Sequence, residues 1–226
     1  MRMMRTLAHP ARPGARASVL TVLLPGAYGK PEDFQREGFI SAVRERGLPA
    51  DVVIADMNLE YITGGNALTL LRDTVIAPAR SAGYRHIRLA GISIGGLMAM
   101  AYADHYPGEV DGLCLIAPYP GSRTVAAEID AAGGVRAWSP GDIARDDFER
   151  RVWRWLKNHA AGPATVYLGY GAEDRFAAAY ATMAAVLPAD RICVVPGRHD
   201  WDAWRKIWER FLDRGAAAPP PDAAAR

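Results

Sequence analysis

Residues 86–100 read His86-Ile-Arg-Leu-Ala-Gly-Ile-Ser-Ile-Gly-Gly-Leu-Met-Ala-Met100 and join two patterns of regular structure. The first half is a short apolar run, which is typical of a strand buried on both faces. The second half has apolar residues at helical spacing. Gly91-Ile-Ser-Ile-Gly95 lies at the junction. The stretch therefore predicts a buried strand that turns directly into a helix at Ser93.

Similar apolar runs recur on both sides of this stretch, and segments with helical spacing separate them. Alternation of strand and helix predicts a mostly parallel sheet with helices on both faces. We therefore expect an α/β protein, a three-layer α/β/α sandwich with about six strands. The other five predicted strands are Ser18–Leu24, Asp51–Asp56, Leu113–Ala117, Ala164–Leu168 and Arg191–Val195.

The remaining segments predict how the chain is organised. Residues 1–17 are expected to form an N-terminal tail, because they cannot easily hold an antiparallel hairpin. Residues 18–215 form the predicted domain. Within it, residues 119–163 interrupt the alternation of strands and helices and are expected to form a cap-like insertion after the fourth predicted strand. The Ala- and Pro-rich residues 216–226 predict a disordered tail.

Composition excludes several classes of function. The chain has 226 residues, is 50% hydrophobic and carries a formal net charge of +2, with no basic stripe that would favour nucleic acid. No run suits a signal peptide or a membrane span, which predicts a cytoplasmic protein. The expected assembly is a monomer or a homodimer. Cys114 and Cys193 lie in apolar runs and predict buried thiols, and no Cys/His spacing suits zinc.

Ser93 is the candidate nucleophile. A Gly-x-Ser-x-Gly turn between a strand and a helix holds the serine in a strained conformation, and its glycines let neighbouring backbone come close. The hydroxyl then projects above the sheet at the positive end of a helix. The alternative interpretation of Ser93 is an ordinary helix N-cap, a position that serine favours.

His199 is the candidate general base. It follows the predicted strand Arg191–Val195 in a loop, and loops at the carboxyl ends of parallel strands are where such sheets bind ligands. The other four histidines are expected to be structural or surface residues, because they lie in a tail, at a strand start, in a helix and in the insertion. They are His9, His86, His105 and His159.

A carboxylate that orients the histidine is expected at the end of another strand, earlier in the chain. Asp174 stands a short turn after the strand Ala164–Leu168, with Glu173 as the second choice and Asp56 as a weaker candidate. The order Ser93, Asp174, His199 matches one known arrangement of a Ser-His-Asp triad.

Donors for a tetrahedral oxyanion are expected from two backbone positions. The amide of Ile94 is one, and the loop after the first predicted strand offers the amide of Ala27 or Tyr28. Candidate substrate-binding side chains are Tyr28, Tyr119 and Trp138; the last of these lies in the insertion, where tryptophans could shape a pocket.

From Ser18 to Leu212 the chain resembles the α/β-hydrolase superfamily, in particular esterase D-like carboxylesterases. The resemblance is carried by Gly91-Ile-Ser-Ile-Gly-Gly96, Gly171-Ala-Glu-Asp174 and Pro196-Gly-Arg-His-Asp-Trp201. The first loop departs from the family pattern, since it lacks the usual His-Gly pair, and the usual two N-terminal strands are expected to be missing.

The resemblance implies hydrolysis of a small-molecule ester or thioester through an acyl-enzyme, with no cofactor and no metal. It does not identify a substrate, because this fold supports many chemistries. Two alternatives stay open. An acyltransferase or editing thioesterase would use the same site, and a non-catalytic binding protein would use only the fold.

Overall fold

The computed structural model describes residues 3–159 and 164–215. Its central element is a sheet in the order β1-β3-β2-β4-β5-β6-β7, in which all neighbours are parallel except the antiparallel pair β1 and β3. The strands are β1 (Thr6–His9), β2 (Val19–Leu24), β3 (Ala50–Ala55), β4 (His86–Ile92), β5 (Gly112–Ile116), β6 (Thr165–Gly171) and β7 (Ile192–Val195).

Helices cover both faces of this sheet. A π-helical turn, Arg72–Ile76, joins α4 to α5, and a 3-10 turn, Ala189–Arg191, precedes β7. No helix within residues 3–159 and 164–215 has the length and apolar character needed to cross a bilayer. The helices are α1 (Pro31–Arg36), α2 (Phe39–Glu45), α3 (Leu59–Thr63), α4 (Ala67–Leu71), α5 (Ala77–Ser81), α6 (Ile94–His105), α7 (Arg123–Ala131), α8 (Phe148–His159), α9 (Ala177–Ala184) and α10 (Trp201–Asp213).

The apolar strands divide the core into two layers. In β2, Leu20, Val22 and Leu24 face the layer formed by α3 to α9, while Leu23 faces the layer formed by α1, α2 and α10. A strand buried on both faces reads as a continuous apolar run, because successive side chains point to opposite sides. The predicted three-layer α/β/α sandwich is confirmed.

The N-terminal segment differs from the predicted tail, because it contributes a seventh strand to the sheet. Strand β1 pairs with β3, with Thr6 opposite Ala55. It has four half-exposed residues at the sheet edge, so it lacks the long apolar run that announces the central strands. The expectation of about six strands therefore omitted one edge strand.

A buried carboxylate holds this N-terminal segment in place. Asp51 is 4% exposed and accepts hydrogen bonds from Ala11 N at 2.7 Å, Ala17 N at 3.1 Å and Tyr84 Oη at 2.6 Å. Burial and the hydrogen bond to Asp51 raise the pKa of Tyr84 to about 12. Asp51 thus links the chain before β2 to the start of β3.

Replacing Asp51 should destabilise the protein. Asp51→Ala leaves two amides and one hydroxyl without their acceptor, at a cost of about 3 kcal/mol in the free energy of unfolding. Tyr84→Phe removes one of the three bonds and should cost about 1 kcal/mol. Urea unfolding of the two variants measures both values, and an Asp51→Ala midpoint equal to that of the wild type would contradict the assignment.

The predicted insertion packs as part of the core. It follows β5, which is the fifth strand once β1 is counted, and it contains α7 and α8. The Trp153 side chain is 2% exposed and donates from Nε1 to the Pro120 carbonyl at 2.9 Å. Arg151 forms an ion pair with Asp104 of α6 at 2.6 Å. The end of the insertion, residues 160–163, and the predicted disordered tail, residues 216–226, lie outside the described residues.

Candidate active site

Three side chains predicted from separate parts of the sequence meet at the carboxyl edge of the sheet. His199 Nε2 lies 3.1 Å from Ser93 Oγ, and His199 Nδ1 lies 2.7 Å from Asp174 Oδ2. The Asp174 side chain is fully buried, whereas the His199 side chain is 14% exposed. A proton on Nδ1 facing the carboxylate leaves Nε2 as an acceptor for the serine hydroxyl.

Ser93 adopts a strained backbone conformation between β4 and α6, with φ 51° and ψ −116°. Such a conformation costs about 1–3 kcal/mol and persists only where the surroundings hold it. Here the Ser93 N–H donates to the Ile116 carbonyl at 3.0 Å, and the Ser93 carbonyl accepts from Tyr119 N at 2.8 Å. The β5 strand and the loop after it therefore hold the serine in position.

The glycine at position 95 allows α6 to start directly against β2. A Cβ atom at Gly95 would lie 2.4 Å from the Leu24 carbonyl oxygen and 2.6 Å from that of Pro25. Both distances are far below van der Waals contact, and both neighbours are backbone atoms of a buried strand end. Any larger residue must therefore move the helix away from the sheet.

Gly95→Ala should therefore lower the free energy of unfolding by about 3 kcal/mol, as overpacking of a rigid site does. Gly141→Ala is the matched control, because no atom lies within 4 Å of a Cβ placed there. Thermal unfolding of both variants tests the difference. Equal melting temperatures for Gly95→Ala and wild type would show that α6 can move away from β2 without loss of stability.

The acid and histidine loops hold each other through backbone contacts. Glu173 N donates to the Gly197 carbonyl at 3.0 Å, and the Glu173 carboxylate accepts from the Gly197 N–H. The second oxygen of Asp174, Oδ1, accepts from Phe176 N at 2.9 Å. Both oxygens of Asp174 are thus engaged, which fixes the carboxylate toward His199.

Aromatic rings surround the histidine. The rings of Phe176 and Trp204 lie edge-to-face against His199, at centroid distances of 5.7 and 5.1 Å. Tyr119 packs in the same manner against Phe176 at 5.8 Å. Behind Asp174, burial and the nearby carboxylate raise the pKa of Tyr180, so its phenol stays protonated. The apolar surroundings restrict the imidazole to the orientation seen here.

Two backbone segments lie next to the nucleophile, namely the start of α6 and the loop after β2. Ile94 is the first residue of α6, and first-turn amides have no carbonyl partner within a helix. Gly26 lies close to Ser93, because a Cβ placed on it would be 3.6 Å from Ser93 Cβ. The following residues, Ala27 and Tyr28, form a tight turn closed by Gly29 N donating to the Gly26 carbonyl at 3.0 Å.

Two cavities lie on opposite sides of Ser93. Strand β4, which carries Ser93, lies between β2 and β5 in the sheet. One cavity of about 300 Å³ lies beyond β5 and β6 and is lined by Phe176, Trp153 and the loop at Gly121. The other is an open groove of about 900 Å³ beyond β2 and β3, lined by Tyr28. Neither lining includes Ser93 or His199, so the two cavities flank the proposed nucleophile without enclosing it.

Comparison with known proteins identifies the fold. No protein-family model and no curated protein sequence matches the chain. The solved structure of Est1E from Butyrivibrio proteoclasticus matches with a TM-score of 0.64 at 19% identity, covering 94% of this chain and 95% of that one. The chain has the α/β-hydrolase fold.

Two further solved structures show the same α/β-hydrolase fold. An S-formylglutathione hydrolase, FrmB from Staphylococcus aureus, matches with a TM-score of 0.59 at 11% identity, covering 95% of this chain and 98% of that one. The thioesterase domain from the curacin biosynthetic pathway matches with a TM-score of 0.58 at 13% identity, covering 92% and 94%. At these identities the likeness concerns the fold.

Other residues singled out in the sequence lie at different places in this α/β-hydrolase fold. Glu173 contacts the histidine loop at Gly197, and Asp56 lines the open groove beyond β3. Trp138 is 3% exposed in the core and lines neither cavity beside Ser93, so its substrate-binding role gains no support from a contact. Tyr28 is 90% exposed above the open groove.

The remaining histidines lie away from Ser93, at the ends of elements. They close β1, open β4 and close α6 and α8: His9, His86, His105 and His159. Within the described ranges, no group of three or more His, Cys, Asp or Glu side chains could hold a metal ion.

Sequence reasoning missed the residues that enclose His199. Phe176 stands two positions after Asp174, and an aromatic residue so close to the predicted acid could have indicated a ring beside the histidine. Trp204 belongs to an apolar stripe of α10, a pattern that predicts core packing. Its ring packs against the core and also contacts the His199 imidazole. Its contact with the imidazole depends on how α10 follows the histidine loop.

Proposed function

We propose that the protein is a serine hydrolase that cleaves a carboxylic ester or thioester. The observation that carries this proposal is the hydrogen-bonded series Ser93, His199 and Asp174 on a strained serine turn. Strain at a non-glycine residue is retained where geometry serves function. Solved proteins with the same fold include an S-formylglutathione hydrolase and a thioesterase domain, which supports this reaction class.

In the proposed first half-reaction, Ser93 Oγ attacks the substrate carbonyl carbon and its proton passes to His199 Nε2. Asp174 stabilises the imidazolium that forms. The Ile94 amide and the amide of Ala27 or Tyr28 donate to the oxyanion, at the positive end of α6. The intermediate then collapses: the bond to the alcohol or thiol breaks, and His199 returns its proton to that leaving group.

In the second half-reaction, water replaces the leaving group. His199 accepts a proton from water, whose oxygen attacks the acyl carbon attached to Ser93 Oγ. Collapse of the second intermediate releases a carboxylic acid and restores the serine hydroxyl. These steps use only side chains and backbone amides of this chain, and they consume one water for each ester.

The test is turnover of 4-nitrophenyl acetate, butyrate and octanoate, together with labelling by a fluorophosphonate that modifies activated serines. We expect turnover of at least one ester and a label on Ser93. Labelling without turnover would favour an acyl acceptor other than water, as in an acyltransferase, and product analysis with added hydroxylamine would identify it. Absence of both would favour the non-catalytic alternative.

A further inference from the structure

The cavity beyond β5 and β6, here called the arginine cavity, has a mixed lining. Its apolar walls come from Ile129, Trp153 and Phe176, and its charged lining residues are Arg123, Arg175 and Asp130. At about 300 Å³ it is large enough for a small organic group. The cavity is partly open to solvent, and it places aromatic surface beside exposed positive charge.

Both walls of the arginine cavity begin next to residues that contact the proposed catalytic residues, one through the Ser93 backbone and the other through the side chains of Asp174 and His199. Tyr119 N donates to the Ser93 carbonyl at 2.8 Å and directly precedes Pro120 on the cavity wall. On the other side, Phe176 N donates to Asp174, and its ring packs against His199. The arginine cavity therefore lies next to residues that contact Ser93, Asp174 and His199.

The two arginines lack protein partners for their charges. Neither Arg123 nor Arg175 forms an ion pair with a carboxylate in residues 3–159 and 164–215. By contrast, Arg150 of α8 pairs with two carboxylates, and its neighbour Arg151 pairs with Asp104. The charges in the arginine cavity are therefore available to an external anion.

Charge and geometry favour an anion that also has an apolar part. Two guanidinium groups outnumber the single carboxylate of Asp130 in the lining. The Arg175 guanidinium lies 4.8 Å from the centroid of the Phe176 ring, which holds the cation against the apolar wall. Guanidinium groups bind carboxylates through two parallel hydrogen bonds.

We propose that the arginine cavity binds a carboxylate carried by the ester or thioester substrate, so that the protein prefers anionic substrates over neutral ones. Arg123 and Arg175 bind the carboxylate, while Phe176 and Trp153 contact the apolar part that joins it to the ester. This inference rests on the proposed function, since it names the substrate class of the same site.

A matched pair of esters tests the preference. The mono-4-nitrophenyl ester of terephthalic acid carries a rigid carboxylate, and the ester of terephthalamic acid replaces it with a neutral amide of nearly equal shape. Each kcat/KM is divided by the rate of hydroxide hydrolysis of the same ester, which removes intrinsic reactivity. The ratio of the two corrected kcat/KM values, carboxylate ester over amide ester, should be about ten at low salt. It should fall as salt screens the charges.

Charge variants assign this preference to the cavity. Arg123→Gln and Arg175→Gln should each reduce the ratio about threefold, and the double variant should abolish the preference. Arg175→Lys keeps the charge but loses the paired donors of the guanidinium, so it should keep only part of the ratio, whereas Asp130→Asn should increase it. Arg145→Gln is the control, because this exposed arginine of the insertion lines a different cavity.

An equal ratio for wild type and the double variant would overturn the inference. Failure of the proposed function has a different signature, namely no turnover of either ester and no fluorophosphonate label on Ser93. Titration calorimetry of benzoate and benzamide tests anion binding in the arginine cavity independently of turnover. Tighter binding of benzoate that is lost in the double variant supports the arginine cavity, and equal binding of the two compounds contradicts it.

Discussion

Ser93→Ala is expected to lower kcat for 4-nitrophenyl esters by roughly 10⁴- to 10⁶-fold while the fold remains intact. The physical reason is that no other group replaces the hydroxyl 3.1 Å from His199 Nε2. Without it no acyl-enzyme forms, and catalysis falls to what the oxyanion donors and binding provide. Steady-state rates and fluorophosphonate labelling measure the loss directly.

His199→Ala should give a loss of the same order, because the hydroxyl then has no base. The effects of the two substitutions should not add in the double variant, since both remove the same step. The far-ultraviolet circular dichroism and melting temperature of each variant serve as controls for folding. Retention of more than about a tenth of the wild-type rate by Ser93→Ala would exclude Ser93 as the nucleophile.

Asp174→Asn is the second substitution with a large expected effect, a loss of about 10³- to 10⁴-fold in kcat. The asparagine keeps the size of the side chain but can present its amide to His199 Nδ1. That nitrogen would then accept a hydrogen bond, which places the imidazole proton on Nε2 and prevents it from accepting the serine proton. Rates measured across the pH range separate this effect from a change in substrate binding.

Glu173→Gln is the matched control for the acid, because it changes the neighbouring carboxylate and keeps its acceptor for Gly197 N. We expect this variant to stay within about tenfold of wild type, since Glu173 contacts the histidine loop and not the imidazole. The opposite result, an inactive Glu173→Gln with a nearly normal Asp174→Asn, would transfer the acid role to Glu173.

Most of the sheet was predictable, because a strand buried on both faces leaves an unbroken apolar run in the sequence. Strands β2 to β6 carry such runs, edge strand β7 is apolar although Val194 is exposed, and parallel pairing follows from the helices between the strands. Strand β1 has only half-exposed residues at the edge of the sheet. Its pairing is fixed by contacts with β3 and by the hydrogen bonds to Asp51, which are distant in sequence.

The insertion was likewise only partly predictable from the sequence. The interruption of the strand and helix alternation at residues 119–163 was visible in the sequence, because such patterns are local. The sequence alone did not show that α8 is held to α6 through Arg151 and Asp104, because an ion pair between residues 47 positions apart leaves no local pattern. Only the packing shows that Trp153 is a core residue and also lines a cavity.

The sequence by itself determined the residue types and order of the proposed triad. The strand-turn-helix context singled out Ser93, and the loops at two strand ends offered Asp174 and His199, because parallel strands bring their carboxyl ends to one edge. The tertiary structure decided what depends on distance and burial. It selected Asp174 over Glu173 as the partner of His199, it placed Phe176 and Trp204 around the imidazole, and it left Arg123 and Arg175 without a carboxylate partner among the described residues. These depend on the directions of side chains from separate loops, which no local pattern of residues encodes.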